Sequence, residues 1–300
     1  MAPMAVALTT RFRALARDAL RANEWLDLLL FGVAVALVTL PVIPDRAFGP
    51  FGGINPLRVS RLVVLVMGIG ALGHFAVRFL GARTGLPASG FVSGFVSSAA
   101  TVAAMGSRAQ HDALLLEPAV AGAVLSTVST VIQLAIVVVA VSPPTLAKLV
   151  VPLAFAGATS IGYGLFDARR AAVATAGGAM DRGRAVDLKA ALLFASIVTS
   201  VLLLGAALQA RLGETGLVVG LFFAGFADVH AAAISAASLV AGGGLAAEHA
   251  VVPILAALTA NSATKAILAF GTGPRAYAVR VGIGLILVVA AAWLGFAVTR

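Results

Sequence analysis

The chain is built from apolar runs about as long as a bilayer is thick, joined by links too short to hold other structure. Runs such as LVVLVMGIGALG and LILVVAAAWLG recur along it. Each reaches roughly 20 residues, the length a helix needs to cross the hydrocarbon layer. They do not alternate apolar and polar residues, which argues against a membrane β-barrel. Nine segments read this way: 25–43, 62–80, 86–106, 118–141, 145–166, 188–210, 215–241, 249–271 and 276–298. Links such as Gly81 to Gly85, Ser142 to Pro144 and Gly271 to Arg275 force consecutive helices to pack antiparallel. The expected fold is therefore all-α: a polytopic integral membrane helical bundle with about nine transmembrane helices.

Composition agrees. Hydrophobic residues make up 61% and charged residues 11% of the 300 positions, against about 25% charged in soluble domains. Such a chain cannot clothe itself in charge, which argues against a soluble enzyme, a disordered chain and a nucleic-acid binder. The net charge of +9 reads as loop and headgroup chemistry. With no cysteine, disulfides, thiolate metal sites and thiol nucleophiles are excluded together.

The organisation along the chain follows from charge and from Gly/Pro content. Residues 1–24 carry Arg11, Arg13, Arg17 and Arg21 at helical spacing and read as a basic amphipathic helix at the membrane surface, not a signal peptide. A first span and a Gly/Pro-rich loop fill 25–61. Two blocks of four spans occupy 62–166 and 188–300, with a charged linker, 167–187, between them. With nine crossings, ten Lys/Arg fall on each side and the positive-inside rule gives no orientation. A re-entrant segment would change that parity, and the Gly-rich 86–106 and 215–241 segments are the suspects.

The two blocks resemble each other. At an offset of 131 residues, GLPASGFVSGF at 85–95 lies on GLVVGLFFAGF at 216–226, and 14 of 59 ungapped pairs from 85 to 143 are identical. Two related four-helix repeats are expected. An odd number of crossings in each would make them inverted, an arrangement found in transporters.

Candidate site residues are the polar groups inside apolar segments, where a charge is expensive and needs a partner or a task. Asp228 and Lys265 lie deep in consecutive segments and are expected to meet as an ion pair or a switchable contact. His230 is a candidate proton carrier two residues from Asp228. Asn261 stacks four residues before Lys265 on one helix face. In the first block Ser93, Ser97 and Thr101 recur every four residues, with Ser98 beside them; hydroxyl stripes of this kind also serve as helix–helix glue. By the offset, Ser97 matches Asp228 and Leu134 matches Lys265, which points to one specialised site between the blocks, with a hydroxyl of the first block beside Asp228 and Lys265. No phosphate loop, His-Glu-x-x-His motif, Gly-x-Ser-x-Gly elbow or spaced metal cluster is present in the sequence. No catalytic residue, metal or cofactor is expected.

The segments LVTLPVIPDRAFGPFGGINPLRVSRLVVLVMGIGALGHFAVRFLGARTGL, GFVSGFVSSAATVAAMGSR, GLFFAGFADVHAAAISAASL and ALTANSATKAILAFGTG stand in this order. Together they resemble the C-terminal membrane domain, DUF4010, of the bacterial MgtC/SapB family, over about residues 36–298. The resemblance implies a multi-pass protein of the bacterial inner membrane. It carries over Asn55 and Pro56, the double serine Ser97 and Ser98, Asp228, Asn261 and Lys265. His230 departs from it by standing where the family has a second Asp, and Ala99 and Ala100 follow the serines where the family often has a Thr. An MgtC-like N-terminal domain is not expected here.

Two functions compete. One is a transporter-like or ion-handling protein with an intramembrane Asp/Lys/Asn site between the repeats. The other is a non-catalytic membrane protein that binds or regulates a membrane partner. Expected partners are the lipid bilayer and an inorganic ion or small solute, with no nucleic acid; a homo-oligomer is compatible with either.

Overall fold

The computed structural model describes residues 43, 45–46, 55–80, 85–170 and 188–300. The basic helix expected over 1–24, the span over 25–43, most of the Gly/Pro loop and residues 171–187 of the charged linker lie outside the described residues. Among the described residues the secondary structure is helical, without a strand. The helices are α1 (Pro56–Leu80), α2 (Gly85–His111), α3 (Leu116–Val141), α4 (Pro143–Arg170), α5 (Leu188–Ala227), α6 (Val229–Ala241), α7 (Val251–Thr272) and α8 (Arg275–Val298).

Seven helical stretches are long and apolar enough to cross a membrane by length and composition. Two of them, Gly85–His111 and Ser196–Ala227, are not straight. In α2 the backbone is extended at Ser97, with φ −164° and ψ 108°. Either side of that break the arms fold onto each other. The hydroxyls of Ser93 and Thr101 lie 3.0 Å apart, although eight residues of straight helix would separate their backbones by about 12 Å. Gly122 of α3 packs between both arms: a Cβ there would lie 2.8 Å from the Leu86 carbonyl oxygen and 3.2 Å from Met105 Cε. A straight helix would hold those two residues about 28 Å apart. α2 is thus a helical hairpin, hairpin 1, with arms 85–96 and 98–111 and its tip at Ser97.

The chain reverses again at Gly213, whose φ of +61° is a conformation that suits glycine. Leu208 before it packs on Gly216 and Gly220 after it. The arm 214–227 then breaks at Asp228, extended at φ −161° and ψ 120°, and α6 returns. Gly205 meets Leu221 on one arm and Ser235 on the other, symmetric about Asp228 in sequence. Ser235 also donates to the Val201 carbonyl at 3.3 Å. Residues 214–241 therefore form hairpin 2, with its tip at Asp228.

These reversals correct the expected count of nine crossings. The expected spans 86–106 and 215–241 each fold back to the end from which they enter. Among the described residues six helices run from end to end: α1, α3, α4, the 188–212 part of α5, α7 and α8. The order in each half is helix, hairpin, helix, helix. Following the chain puts the base of hairpin 1 at the end where residues 170 and 188 lie, the linker end. The base of hairpin 2 lies at the opposite, distal end. Contacts between remote residues agree with this order. At the linker end Arg280 of α8 bridges Glu117 and Asp167. At the distal end Glu214 meets His249, and Gln209 donates to the Gly244 carbonyl at 2.7 Å.

Small residues set the packing. Gly90 and Gly94 of hairpin 1 sit on the backbone of Gly122 and Ser126 in α3, and Gly225 of hairpin 2 sits on Ala257 in α7. Backbones can approach this closely only where no Cβ intervenes. The buried core between them is alanine, valine, leucine and isoleucine, including Ala231 to Ala233, Ile254, Leu258, Val137 and Leu149.

Candidate functional site

Each hairpin arm of about a dozen residues reaches roughly 18 Å, about halfway into a bilayer. The two tips therefore meet the bundle near its middle, from opposite ends. Each tip is a helix break capped by its own side chain. Ser97 Oγ accepts the Ala100 N–H at 3.2 Å. Asp228 Oδ1 accepts the Ala231 N–H at 2.7 Å. Both follow the N-cap logic, in which a side-chain oxygen satisfies a free N–H of the first helical turn. The carbonyl that ends each incoming arm is also held. Gln133 Nε2 donates to the Phe95 oxygen at 2.7 Å, and Thr264 Oγ1 donates to the Phe226 oxygen at 3.2 Å. Every one of these pairs is related by 131 residues: 97 and 228, 100 and 231, 133 and 264, 95 and 226. The seat of the arm follows the same rule, Gly94 on Ser126 and Gly225 on Ala257.

What the tips carry differs. At hairpin 2, His230 Nδ1 lies 3.6 Å from Asp228 Oδ1. His230 Nε2 and the side-chain oxygen of Asn261 are buried without a hydrogen-bond partner. Asn261 lies on the face of α7 that seats hairpin 2, between Ala257 and Thr264, where Thr130 lies in the other half. Lys265 is fully buried and does not pair with Asp228. It crosses to the first half, where Nζ donates to Thr130 Oγ1 at 3.0 Å and lies 3.5 Å from Thr127 Oγ1. Thr130 in turn donates to Ser98 Oγ at 2.9 Å. The expected direct Asp228–Lys265 ion pair is thus replaced by two separate clusters. The Asp228 carboxylate is turned to its own helix terminus, and Lys265 is hydrogen-bonded to α3. The first-half hydroxyls on the lysine are those of Thr127 and Thr130, not of Ser93, Ser97, Ser98 or Thr101; Ser98 is hydrogen-bonded to Thr130.

Ser93 and Thr101 are buried and bonded to each other, and Thr101 also donates to the Ser97 carbonyl at 2.8 Å. Their place is inside hairpin 1, tying its arms together. Sequence reasoning missed the linker-end network. Arg280 Nη1 donates to Glu117 at 2.7 Å and Nη2 to Asp167, while Tyr163 donates to the Arg280 carbonyl at 2.9 Å. Tyr277, fully buried, donates to the Val102 carbonyl at 2.6 Å. These partners lie between 113 and 175 residues apart along the chain, beyond the reach of any local pattern.

A family model described as "Domain of unknown function (DUF4010)" matches residues 64–273. The chain belongs to the DUF4010 family. The matched part opens within α1 and closes just past α7, so it holds both hairpins and both clusters of this DUF4010 protein. No curated protein and no solved structure matches the chain.

Proposed function

We propose that this DUF4010 protein is a transporter-like, ion- or solute-handling membrane protein, built from two inverted repeats with its site between the hairpin tips. The observation that carries the reading is the pair of helical hairpins entering from opposite ends and breaking at Ser97 and Asp228, 131 residues apart. Three through-running helices in each half make the halves opposite in orientation. Broken helices leave main-chain groups and half-helix N-termini at mid-bundle depth, where they cost free energy unless they line a path or a site. Discontinuous helices at a repeat interface are how many secondary transporters form their sites.

The family resemblance makes the membrane the inner membrane of a bacterium. Among the described residues seven basic residues lie toward the linker end by sequence position (Arg78, Arg108, Arg169, Arg170, Lys189, Arg275 and Arg280) and six toward the distal end (Arg46, Arg58, Arg61, Lys148, Arg211 and Arg300). That balance is too even for the positive-inside rule to orient the linker end. Arg280, Glu117 and Asp167 clamp that end, whereas Glu248, 131 residues after Glu117, is exposed. Among the described residues the linker end carries this three-residue clamp and the distal end the Glu214–His249 contact.

The test is uptake of labelled ions and small solutes into proteoliposomes, with the Asp228→Asn variant alongside. Uptake by the wild type that the variant loses supports the reading. A null screen with folded protein on both arms would leave the partner-binding function in its place.

A further inference from the structure

We propose that Lys265, Thr130 and Ser98 form the binding site for a small oxygen-bearing anion, a carboxylate or an inorganic oxyanion. The proposal deepens the transport reading and rests on it only in taking the bound anion to be the transported solute.

The first observation is the isolation of the lysine. Lys265 is 0% exposed, and its partners are neutral hydroxyls. Among the described residues no carboxylate lies within ion-pair distance of it. The same protein treats a structural cation differently: Arg280 receives two carboxylates, Glu117 and Asp167. A buried charge without a counter-charge is costly, so a fold that needed only rigidity there would have no reason to keep it.

The second observation is that the fold does not need it. Leu134, at the matching position of the other half, is also 0% exposed. Thr130 corresponds to Asn261 and Ser98 to Val229. The ammonium with its chain of hydroxyls is an addition to one half of a frame that accepts leucine in the other.

The third is the kind of group gathered there. Lys265 donates to Thr130, whose hydroxyl is hydrogen-bonded with Ser98 and lies 3.5 Å from the Ser126 carbonyl oxygen. Ser98 is the first residue of the arm 98–111, where free N–H groups and the helix dipole add positive potential. Ammonium, hydroxyl and helix terminus all favour negative charge and offer hydrogens to oxygen acceptors. A metal cation would meet the lysine's repulsion instead. The carboxylate of the opposite tip is engaged elsewhere, since Asp228 caps Ala231 and sits beside His230. Thr127 and Thr130 are buried with the lysine, whereas Ser98 and the tip residues Val96 and Ser97 are not. Entry is therefore past the tip of hairpin 1.

The experiment is thermal unfolding of the purified full chain in detergent, in the sodium salts of chloride, acetate, succinate, sulfate and phosphate at matched sodium concentration. At least one of the four oxygen-bearing anions should raise the melting temperature saturably, and chloride should not. Lys265→Leu, the side chain that the matching position already accommodates, should fold and lose the effect, with affinity down about tenfold or more. Ser98→Ala should weaken it too and serves if the lysine variant does not fold. Gly282→Ala, with nothing within 4 Å of its added Cβ, should keep it. No shift with any anion, an unchanged shift in folded Lys265→Leu or Ser98→Ala, or a shift that follows sodium would overturn the proposal. Uptake separates it from the transport reading. Anion binding without uptake would sink transport and leave the site. Cation uptake indifferent to Lys265→Leu would sink the site and leave transport.

Discussion

Alanine at the two glycines that seat the hairpins tests the packing at single-atom scale. A Cβ at Gly94 would lie 2.7 Å from the Ser126 carbonyl oxygen and 2.8 Å from Ser126 Cα; at Gly225 it would lie 2.7 Å from Ala257 Cα, with the Ala257 oxygen closer still. Both obstacles are backbone, so no rotamer change relieves them and the arm must lift off its neighbour. Overpacking of this kind costs about 1–3 kcal/mol. The intrinsic gain of alanine over glycine in a helix returns up to about 1 kcal/mol. Gly282→Ala is the control, because nothing lies within 4 Å of its added Cβ and only the gain applies. The gain is common to both, so the seat variants should fall below the control by the overpacking cost, about 1–3 kcal/mol. At about 2 °C per kcal/mol, the low end of the range for larger domains, that is a difference of about 2–6 °C in melting temperature. Thermal unfolding in detergent, followed by tryptophan fluorescence, reads it. Melting of Gly94→Ala and Gly225→Ala together with Gly282→Ala would refute the close seating of both arms.

Other outcomes follow from the same contacts. Asp228→Ala should lose the cap on Ala231 and about 1 kcal/mol of stability, whereas Asp228→Asn keeps a capping oxygen and should melt near the wild type while losing uptake. Arg280→Ala leaves Asp167, 2% exposed, without its partner and should cost about 3 kcal/mol. Adding Asp167→Ala to that variant should cost less than the sum of the two single changes. Since the chain has no cysteine, Asp112→Cys and Glu248→Cys make clean reporters. An impermeant maleimide should label each from one face of the membrane only, the two from opposite faces.

The helical class and the polar residues worth attention were legible because both follow from local composition. The breaks were half legible. Gly90, Gly94, Gly220 and Gly225 marked the two segments under suspicion, and the offset of 131 already set Ser97 on Asp228. Nothing local distinguishes a kinked span from a hairpin, however, because both use the same apolar residues and the same cap. What decides is whether Leu86 and Met105 face one glycine, a contact with α3. The partner of Lys265 was misread for a related reason. Neighbouring segments suggested Asp228, but the long lysine side chain reaches across the bundle to Thr130, 135 residues away, and Asp228 satisfies its own helix terminus instead. The Arg280 network was invisible because its three residues lie on three helices and look like ordinary ends of apolar runs.

The most direct test of the central claim is a pulsed-EPR distance between spin labels on Thr215→Cys and Ala241→Cys, both exposed, at the two ends of hairpin 2. If residues 214–241 fold back at Asp228, as the contacts of Gly205 with both arms require, the labels should lie at less than half the span of a straight helix. A single crossing helix would hold them about 39 Å apart, and a distance near that value would contradict the hairpin and the inverted halves built on it.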